Sequence, residues 1–390
     1  MKTFALTLCT FVISIGSLVA QPLWLRYPSI SPDGSTVVFT YQGDLYRVDA
    51  GGGTATPLTI DPEHDFMPVW SHDGSQLAFA SDRYGNFDVF VMPSTGGEAQ
   101  RLSHHSGNDY PSDFTADNSQ VLFSSLRIDL YTNAQFPNRT LAELYSVPAT
   151  GGRVTQILTT PAEDARINAD GSRIYFHDRK GYEDPWRKHH TSSITRDIWY
   201  YDVAAKTYAQ LTSWEGEDRN PIVNPNDNMV YWLSERSGHF NVYKMSESES
   251  SAQAVTNFTG HPVRFLTMAS SGTLCYSWNG ELYTQSQGGE PQKINIAIAN
   301  DTRGNLVKAK PIEGITEMSP SPNGKEFAYI YRGEVFVSSV EDGVTKRITN
   351  TPEQERSVSF SPDGRSLVYA GERDNSWNVY VSTIDREEEK

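Results

Sequence analysis

The stretch ISPDGSTVVFT at residues 30–40 decides the fold of this chain of 390 residues. Asp-Gly supplies the positive backbone angles that a tight hairpin turn needs, and the β-branched and aromatic residues after it favour a strand. The unit continues through a second apolar run at 44–48, a glycine-rich turn at 51–53 and a short run that ends in Leu-Thr at 58–59. This order predicts a sheet of four short antiparallel strands.

Turns of the same kind recur along the whole chain at intervals of 40 to 57 residues. They lie at Asp33-Gly34, Asp73-Gly74, Asp117-Asn118, Asp170-Gly171, Asp227-Asn228, Ser271-Gly272, Asn323-Gly324 and Asp363-Gly364. Four-stranded units of this length are typical of β-propeller blades. One such sheet buries its faces only by stacking against its neighbours. The sequence therefore predicts an all-β chain with propeller architecture.

The count of the units predicts the domain organisation. Six copies in residues 21–300 predict a six-bladed β-propeller, and the polar stretch after them predicts a linker at 301–314. Two further copies in residues 315–390 predict the first two blades of a second, truncated propeller. We expect no strand to be left over in the first propeller, so that its ring closes by packing of the first blade on the sixth. Two blades form no ring, so either the chain is a fragment of a longer protein, which we favour, or those blades pack on a partner.

The N-terminus and the charge narrow the function. Residues 1–20 combine Lys2, an apolar run and a small-residue end at Ala20, which predicts a signal peptide with cleavage after Ala20 and an exported protein, periplasmic or extracellular. No later segment has the roughly 20 apolar residues of a membrane span.

A net charge of −15 argues against nucleic acid as a partner, because an acidic chain repels phosphates. Cys275 is then the only cysteine and is expected to be buried in a strand.

A basic cluster in an insertion at 180–199 supplies the candidate binding residues. Its members are Trp186, Arg187, Lys188, His189, His190 and Arg196. Guanidinium groups pair with carboxylates in bidentate fashion, so the cluster fits recognition of peptide carboxylates or docking of an acidic neighbouring domain. The alternative is a solvated hairpin tip. Tyr182, Trp186 and Trp199 could stack on a ligand, but core packing is the favoured interpretation for them.

No catalytic residue, metal site or cofactor is predicted. The chain lacks a Gly-x-Ser-x-Gly elbow, and its glycine-rich turns lack the lysine of a phosphate-binding loop. Neighbouring histidines at 104–105 and 189–190 would point to opposite faces of a strand, which does not suit two ligands of one metal ion. The aspartates of the repeated turns are explained by their role in the turn rather than by calcium.

Several stretches resemble the propeller region of tricorn-type serine peptidases. They are Trp-Arg-Lys and Thr-Arg-Asp-Ile-Trp within 180–199, the opening at 28–34 with Gly-Asp-Leu-Tyr at 43–46, and the new series that starts at 319–324. The resemblance implies a six-bladed and a seven-bladed propeller followed by a PDZ domain and a catalytic region with a serine nucleophile and a histidine base. The propellers of this family are thought to guide peptides. An arginine pair near the join of blades two and three is not matched, because residues 104–109 read HHSGND.

These observations lead to a main hypothesis and two alternatives. In the first, the chain is a non-catalytic propeller region that gates or guides peptides and scaffolds PDZ and serine-peptidase domains of a longer chain or complex, with homo-oligomerisation left open. In the second, it is a stand-alone TolB-like propeller that binds envelope proteins. A propeller enzyme with chemistry in its central channel ranks last, because no cluster of acids or histidines recurs at one place in the repeats.

Overall fold

The computed structural model of the protein describes residues 24–127, 141–181, 194–248, 251–298, 313–373 and 376–383. These residues form strands joined by turns, which confirms the predicted all-β fold. None of the described residues belongs to a helix long and apolar enough to cross a membrane. The chain divides into two compact units, Met1–Asp301 and Thr302–Lys390.

The first unit contains six sheets, each built on four antiparallel strands in chain order. The first three sheets consist of β1 (Arg26–Ile30), β2 (Thr36–Tyr41), β3 (Asp44–Asp49) and β4 (Gly53–Pro57); β5 (Asp65–Trp70), β6 (Gln76–Ser81), β7 (Asp88–Pro93) and β8 (Gln100–Arg101); and β9 (Asp109–Phe114), β10 (Gln120–Ser125), β11 (Glu143–Pro148) and β12 (Thr155–Pro161). The next three consist of β13 (Glu163–Ile167), β14 (Arg173–His177), β15 (Ile198–Asp202) and β16 (Thr207–Gln210); β17 (Asp218–Val223), β18 (Val230–Ser234), β19 (Asn241–Met245) and β20 (Gln253–Ala254); and β21 (Arg264–Met268), β22 (Leu274–Trp278), β23 (Glu281–Gln285) and β24 (Gln292–Lys293).

The first strands of these six sheets form a ring. Strand β1 contacts β5, β5 contacts β9, and the series continues through β13 and β17 to β21, which contacts β1 again. Each sheet therefore buries its faces against the sheets before and after it, as the repeat pattern predicts for a propeller. The innermost strand of every sheet lies beside the central axis.

Ring closure differs from the prediction. One strand is left over: β25 (Ile296–Ile298) follows the sixth sheet and pairs in parallel with β4, with Ala297 opposite Thr54. The expectation that closure rests on packing alone was therefore wrong. The outer edge of β4 offers backbone N–H and C=O groups that need partners, and a three-residue strand is enough to meet part of that need.

The joint between the first and sixth sheets also has its own apolar core. Phe39 and Val37 of the first sheet and Cys275, Ile294 and Ile296 at the end of the ring belong to one buried cluster. The burial of Cys275 agrees with the expectation from its sequence neighbours. Closure thus combines strand pairing with burial of apolar surface.

Two recurring polar contacts explain the motifs of the repeat. In the turns, the aspartate carboxylate accepts hydrogen bonds from neighbouring hydroxyl and amide groups, as Asp33 does from Ser31 and Ser35, and these bonds lower its pKa. In the Leu-Thr end, the hydroxyl of Thr59 accepts the backbone N–H of Leu45 at 2.9 Å. The same bond occurs at 2.8–2.9 Å in four other sheets, through Ser103, Thr212, Thr256 and Thr349.

The second unit contains two further sheets. They consist of β26 (Glu317–Pro320), β27 (Glu326–Tyr331), β28 (Glu334–Ser339) and β29 (Thr345–Arg347), and of β30 (Glu355–Phe360), β31 (Ser366–Arg373) and β32 (Ser376–Thr383). Their first strands, β26 and β30, contact each other as neighbouring first strands do in the first unit.

A glycine at the closing joint gives a test of this geometry. Gly52 has a φ of +98°, and a Cβ there would lie 2.7 Å from the backbone oxygen of Asn295, just before β25. Gly43 has the same φ but open space around it. Both alanine variants carry the cost of a left-handed residue, about 1–2 kcal/mol. Gly52→Ala should lower the free energy of unfolding in urea by about 1–3 kcal/mol more than Gly43→Ala, because it also pushes the closing segment away. Equal losses in the two variants would contradict the closure described here.

Candidate functional site

The structure places only one residue of the predicted basic cluster. Trp186, Arg187, Lys188, His189 and His190 lie outside the described residues. Arg196 is buried, with 4% of its surface exposed, so the solvated-tip alternative is wrong for this residue. Its guanidinium donates to Glu217 Oε1 at 2.7 Å. Trp199 packs beside a buried apolar cluster and donates to Asp178, as the core interpretation expects.

Arg196 lines a cavity of about 410 Å³ on the axis of the first unit. All six first strands contribute to its wall. Representative lining residues, one from each of β1, β5, β9, β13, β17 and β21, are Tyr27, Phe66, Tyr110, Asp164, Arg219 and Arg264. The cavity is therefore a product of the ring, since no single sheet supplies it.

A repeated β-bulge shapes this wall. The pairing of the first strand with the second shifts register in every sheet of the first unit. In five of the six first strands a residue other than glycine adopts a φ between 49° and 59°; these residues are Tyr27, Met67, Asp164, Asn220 and Phe265. Such backbone is uncommon and costs free energy, and bulges change the direction in which side chains point. The strained backbone thus recurs at residues that line the cavity.

One side of the cavity is aromatic. The ring of Tyr27 lies 4.2 Å from that of Phe265 and 5.2 Å from that of Phe66, and the ring of Phe66 lies 5.9 Å from that of Tyr110, measured between centroids. Burial raises the pKa of Tyr27 to about 12, so its phenol is neutral at physiological pH. These four rings, from β21, β1, β5 and β9, form a continuous surface that suits apolar groups. We call it the aromatic row.

The other side is charged. Sheets four to six contribute five arginines to the wall, Arg166, Arg179, Arg196, Arg219 and Arg264. The carboxylates among the lining residues are Glu163 and Asp164. Among the residues that line this cavity, arginines therefore outnumber carboxylates, in a chain whose net charge is −15.

Glu163 is the centre of an ion-pair network in this wall. Arg179 donates to its Oε1 at 2.7 Å, His177 Nε2 lies 3.4 Å from its Oε2, and Arg196 Nε lies 3.7 Å from the same oxygen. Burial alone would raise the pKa of Glu163, but His177, Arg179 and Arg196 outweigh it and lower the pKa to about 2. The carboxylate is therefore ionised at neutral pH and orders the arginines around it.

Arg219 and Arg264 lie on the neighbouring first strands β17 and β21. The guanidinium of Arg219 lies over the ring of Phe240 at 4.1 Å from the centroid and 3.6 Å from Glu217 Oε1. Burial, and after it the positive charges of Arg219 and Arg26, lower the pKa of Arg264. Burial also lowers the pKa of Arg219. The buried carboxylate of Glu235 offsets part of this effect on both arginines, and a negatively charged group in the cavity would offset more of it.

A second cavity of about 260 Å³ adjoins the first along the axis. Val69, Arg166 and Thr267 line both cavities. Within the described residues, no three histidine, cysteine or carboxylate side chains are grouped so as to hold a metal ion. What the described geometry offers is binding: an apolar surface on one side and guanidinium groups on the other.

Sequence reasoning missed Arg219, Arg264 and the aromatic row, although one signal pointed to their strands. In four of the six first strands a proline lies within the strand, at Pro28, Pro68, Pro111 and Pro221. Proline does not donate to a strand ladder, so within sheets it is confined to edges and bulges. These prolines mark the innermost strands, whose free edge faces the axis.

The fold and the cavity define a class of protein, a β-propeller with a cavity on its axis. The family model described as "Tricorn protease N-terminal beta propeller domain" matches residues 22–290, and the chain belongs to that family. Part of the sequence-based interpretation, the resemblance to tricorn-type peptidases, is thereby confirmed.

Individual relatives agree with this assignment. The Tricorn protease homolog 1 of Streptomyces coelicolor is 26% identical over 360 residues, which cover 90% of this chain and 32% of that protein. The Tricorn protease homolog of Saccharolobus solfataricus is 24% identical over 339 residues, which cover 82% of this chain and 29% of that protein. The chain therefore spans about a third of the length of these curated relatives. A crystal structure of the tricorn protease has a similar fold. The comparison with this chain gives a TM-score of 0.61 at 16% sequence identity and covers 93% of this chain and 44% of that one.

The network around Glu163 predicts a pH-dependent stability. Because folding lowers the pKa of this carboxyl from 4.5 to about 2, its ionised form stabilises the protein above pH 4.5, and that stabilisation is lost as the pH falls toward 2. Glu163→Gln should cost about 2–3 kcal/mol in urea unfolding at pH 7, and clearly less at pH 3.5. Glu290→Gln, at an exposed position, is the matched control and should change little at either pH. A Glu163→Gln cost that does not shrink at the lower pH would contradict the network.

Proposed function

We propose that this chain is the non-catalytic propeller region of an exported tricorn-type serine peptidase, and that it guides or gates peptide substrates along its axis. The observation that carries the proposal is the axial cavity, whose aromatic row and arginines suit the mixed apolar and charged groups of a peptide. Membership in the tricorn propeller family supports it.

We propose further that PDZ and serine-peptidase domains belong to the same longer chain or complex. The chain's share of its curated relatives, about a third, supports this. The last described sheet supports it as well, because its third strand, β32, exposes Trp377, Val379 and Val381. A following blade of a second propeller would cover such a face, since blades bury their apolar surface against each other.

Export forms part of the proposal. It is supported by the charged, apolar and small-residue order of residues 1–20. N-terminal sequencing of the protein from its native host should give Gln21 as the first residue, and a mature protein that retains residues 1–20 would contradict export.

The channel function is tested in the protein encoded by the complete reading frame. Arg166 lines both axial cavities, so Arg166→Trp places a bulky group where they adjoin. We expect kcat/KM for a decapeptide to fall about tenfold, while labelling of the serine nucleophile by a small fluorophosphonate stays unchanged, because only the peptide's path is narrowed. Arg153→Trp, at an exposed position, makes the same exchange and should leave both readouts unchanged.

Two outcomes would contradict the proposal. A stop codon directly after the codon for Lys390 would favour the stand-alone TolB-like alternative. Peptide hydrolysis that is equal in the Arg166→Trp and Arg153→Trp proteins would show that the axial cavity does not carry substrate.

A further inference from the structure

We propose that the axial cavity selects peptide segments in which an acidic side chain lies next to an apolar one. In this inference, which rests on the peptide-guiding function, Arg219 and Arg264 bind the internal Asp or Glu carboxylate. The neighbouring apolar side chain packs on the aromatic row.

The charge of the wall supports an anionic group as the ligand. Five arginines and two carboxylates line the cavity, and the carboxylate of Glu163 is already engaged by Arg179, His177 and Arg196. The buried Glu217 contacts both Arg196 and Arg219. The buried carboxylate of Glu235 also acts on the charges of Arg219 and Arg264. The five lining arginines still outnumber the four carboxylates of Glu163, Asp164, Glu217 and Glu235, in a chain whose overall charge is strongly negative.

The position of the two arginines suits one carboxylate. Arg219 and Arg264 come from neighbouring first strands and lie at the corresponding place of each, one residue before the left-handed residues Asn220 and Phe265. Charge-assisted hydrogen bonds between guanidinium and carboxylate are about twice as strong as neutral ones and gain further strength in a poorly solvated site. The lowered pKa values of both arginines agree with a site that favours a negative ligand.

The aromatic row accounts for the apolar part of the preference. Phe265 follows Arg264 directly in the chain. It is the first ring of the aromatic row, and it contacts the next ring, that of Tyr27. A carboxylate bound at Arg264 therefore has an apolar surface beside it. An acidic residue followed or preceded by a Leu, Phe or Pro fits both surfaces at once.

The adjoining cavities favour a side-chain carboxylate over the carboxylate at a peptide's C-terminus. Arg166 and Thr267 line both cavities, so a chain held beside the arginines can continue along the axis into the second cavity. An extended peptide advances about 3.3 Å per residue, so a peptide that passes through both cavities places several residues on the axis. The residue beside the arginines is then an internal one. Its carboxylates are those of Asp and Glu.

The test uses the full chain and fluorescently labelled twelve-residue peptides with an amidated C-terminus. One peptide carries a central Leu-Glu-Phe, and its partner carries Leu-Gln-Phe. By fluorescence anisotropy in low salt, the Glu peptide should bind at least about tenfold more tightly, since a charge-assisted bond is lost in the Gln peptide. This difference should narrow in 0.5 M NaCl, because salt screens the charges.

Variants locate the effect. Arg264→Gln should reduce the Glu-to-Gln affinity ratio to near one, Arg264→Lys should keep part of it, and Arg153→Gln at the exposed control position should keep all of it. Thermal unfolding verifies that each variant is folded. The comparison of the two peptides on the unaltered protein stands by itself, so the test does not depend on any variant folding.

The outcomes separate this inference from the function on which it rests. Equal affinity for the Glu and Gln peptides would overturn the acidic preference and leave peptide guiding intact. Failure of every peptide to bind would count against peptide guiding itself. If a Gln peptide with a free C-terminal carboxylate binds as tightly as the amidated Glu peptide, the arginines hold a chain terminus, and the inference of an internal side chain is wrong.

Discussion

The pairing of β25 with β4 is the contact on which the rest of the first unit depends. Six separate sheets bury their apolar faces only if each has a neighbour on both sides, and the first and sixth sheets gain theirs only when the ring closes. The chain achieves this with a parallel strand pair and a shared core that includes Phe39, Cys275 and Ile296. The closed ring then sets six first strands around one axis.

The cavity follows from that closure. The arginines of its charged side come from sheets four to six and the rings of its aromatic side from sheets six, one, two and three, so only the ring brings Arg264 of β21, Tyr27 of β1 and Asp164 of β13 to one space. Left-handed backbone at five bulges and several buried arginines are costly features, and such features persist where the surrounding structure holds them in place. The stacked sheets supply that support, which is why a binding site with strained backbone is compatible with a stable fold.

The sequence predicted the parts of the fold that local chemistry determines. Asp-Gly turns and the Leu-Thr end recur because each makes a hydrogen bond within its own repeat, as Asp33 and Thr59 show, and these signals are readable without a structure. The closing strand was missed because three residues at 296–298 carry too little pattern. Arg219 and Arg264 were missed because residues far apart in sequence become neighbours only through the ring. Arg196 was found, but its burial beside Glu217 was not foreseen.

A disulfide across the closing joint tests ring closure most directly. Ala297 lies opposite Thr54 in the parallel register, so Thr54→Cys combined with Ala297→Cys should form a disulfide in the folded protein. Because it bridges a very long loop, the bond should raise the free energy of unfolding in urea by about 2–4 kcal/mol relative to its reduced form. Failure of the two thiols to oxidise together in the folded protein, or a bond that leaves the stability unchanged, would contradict a ring closed by this strand.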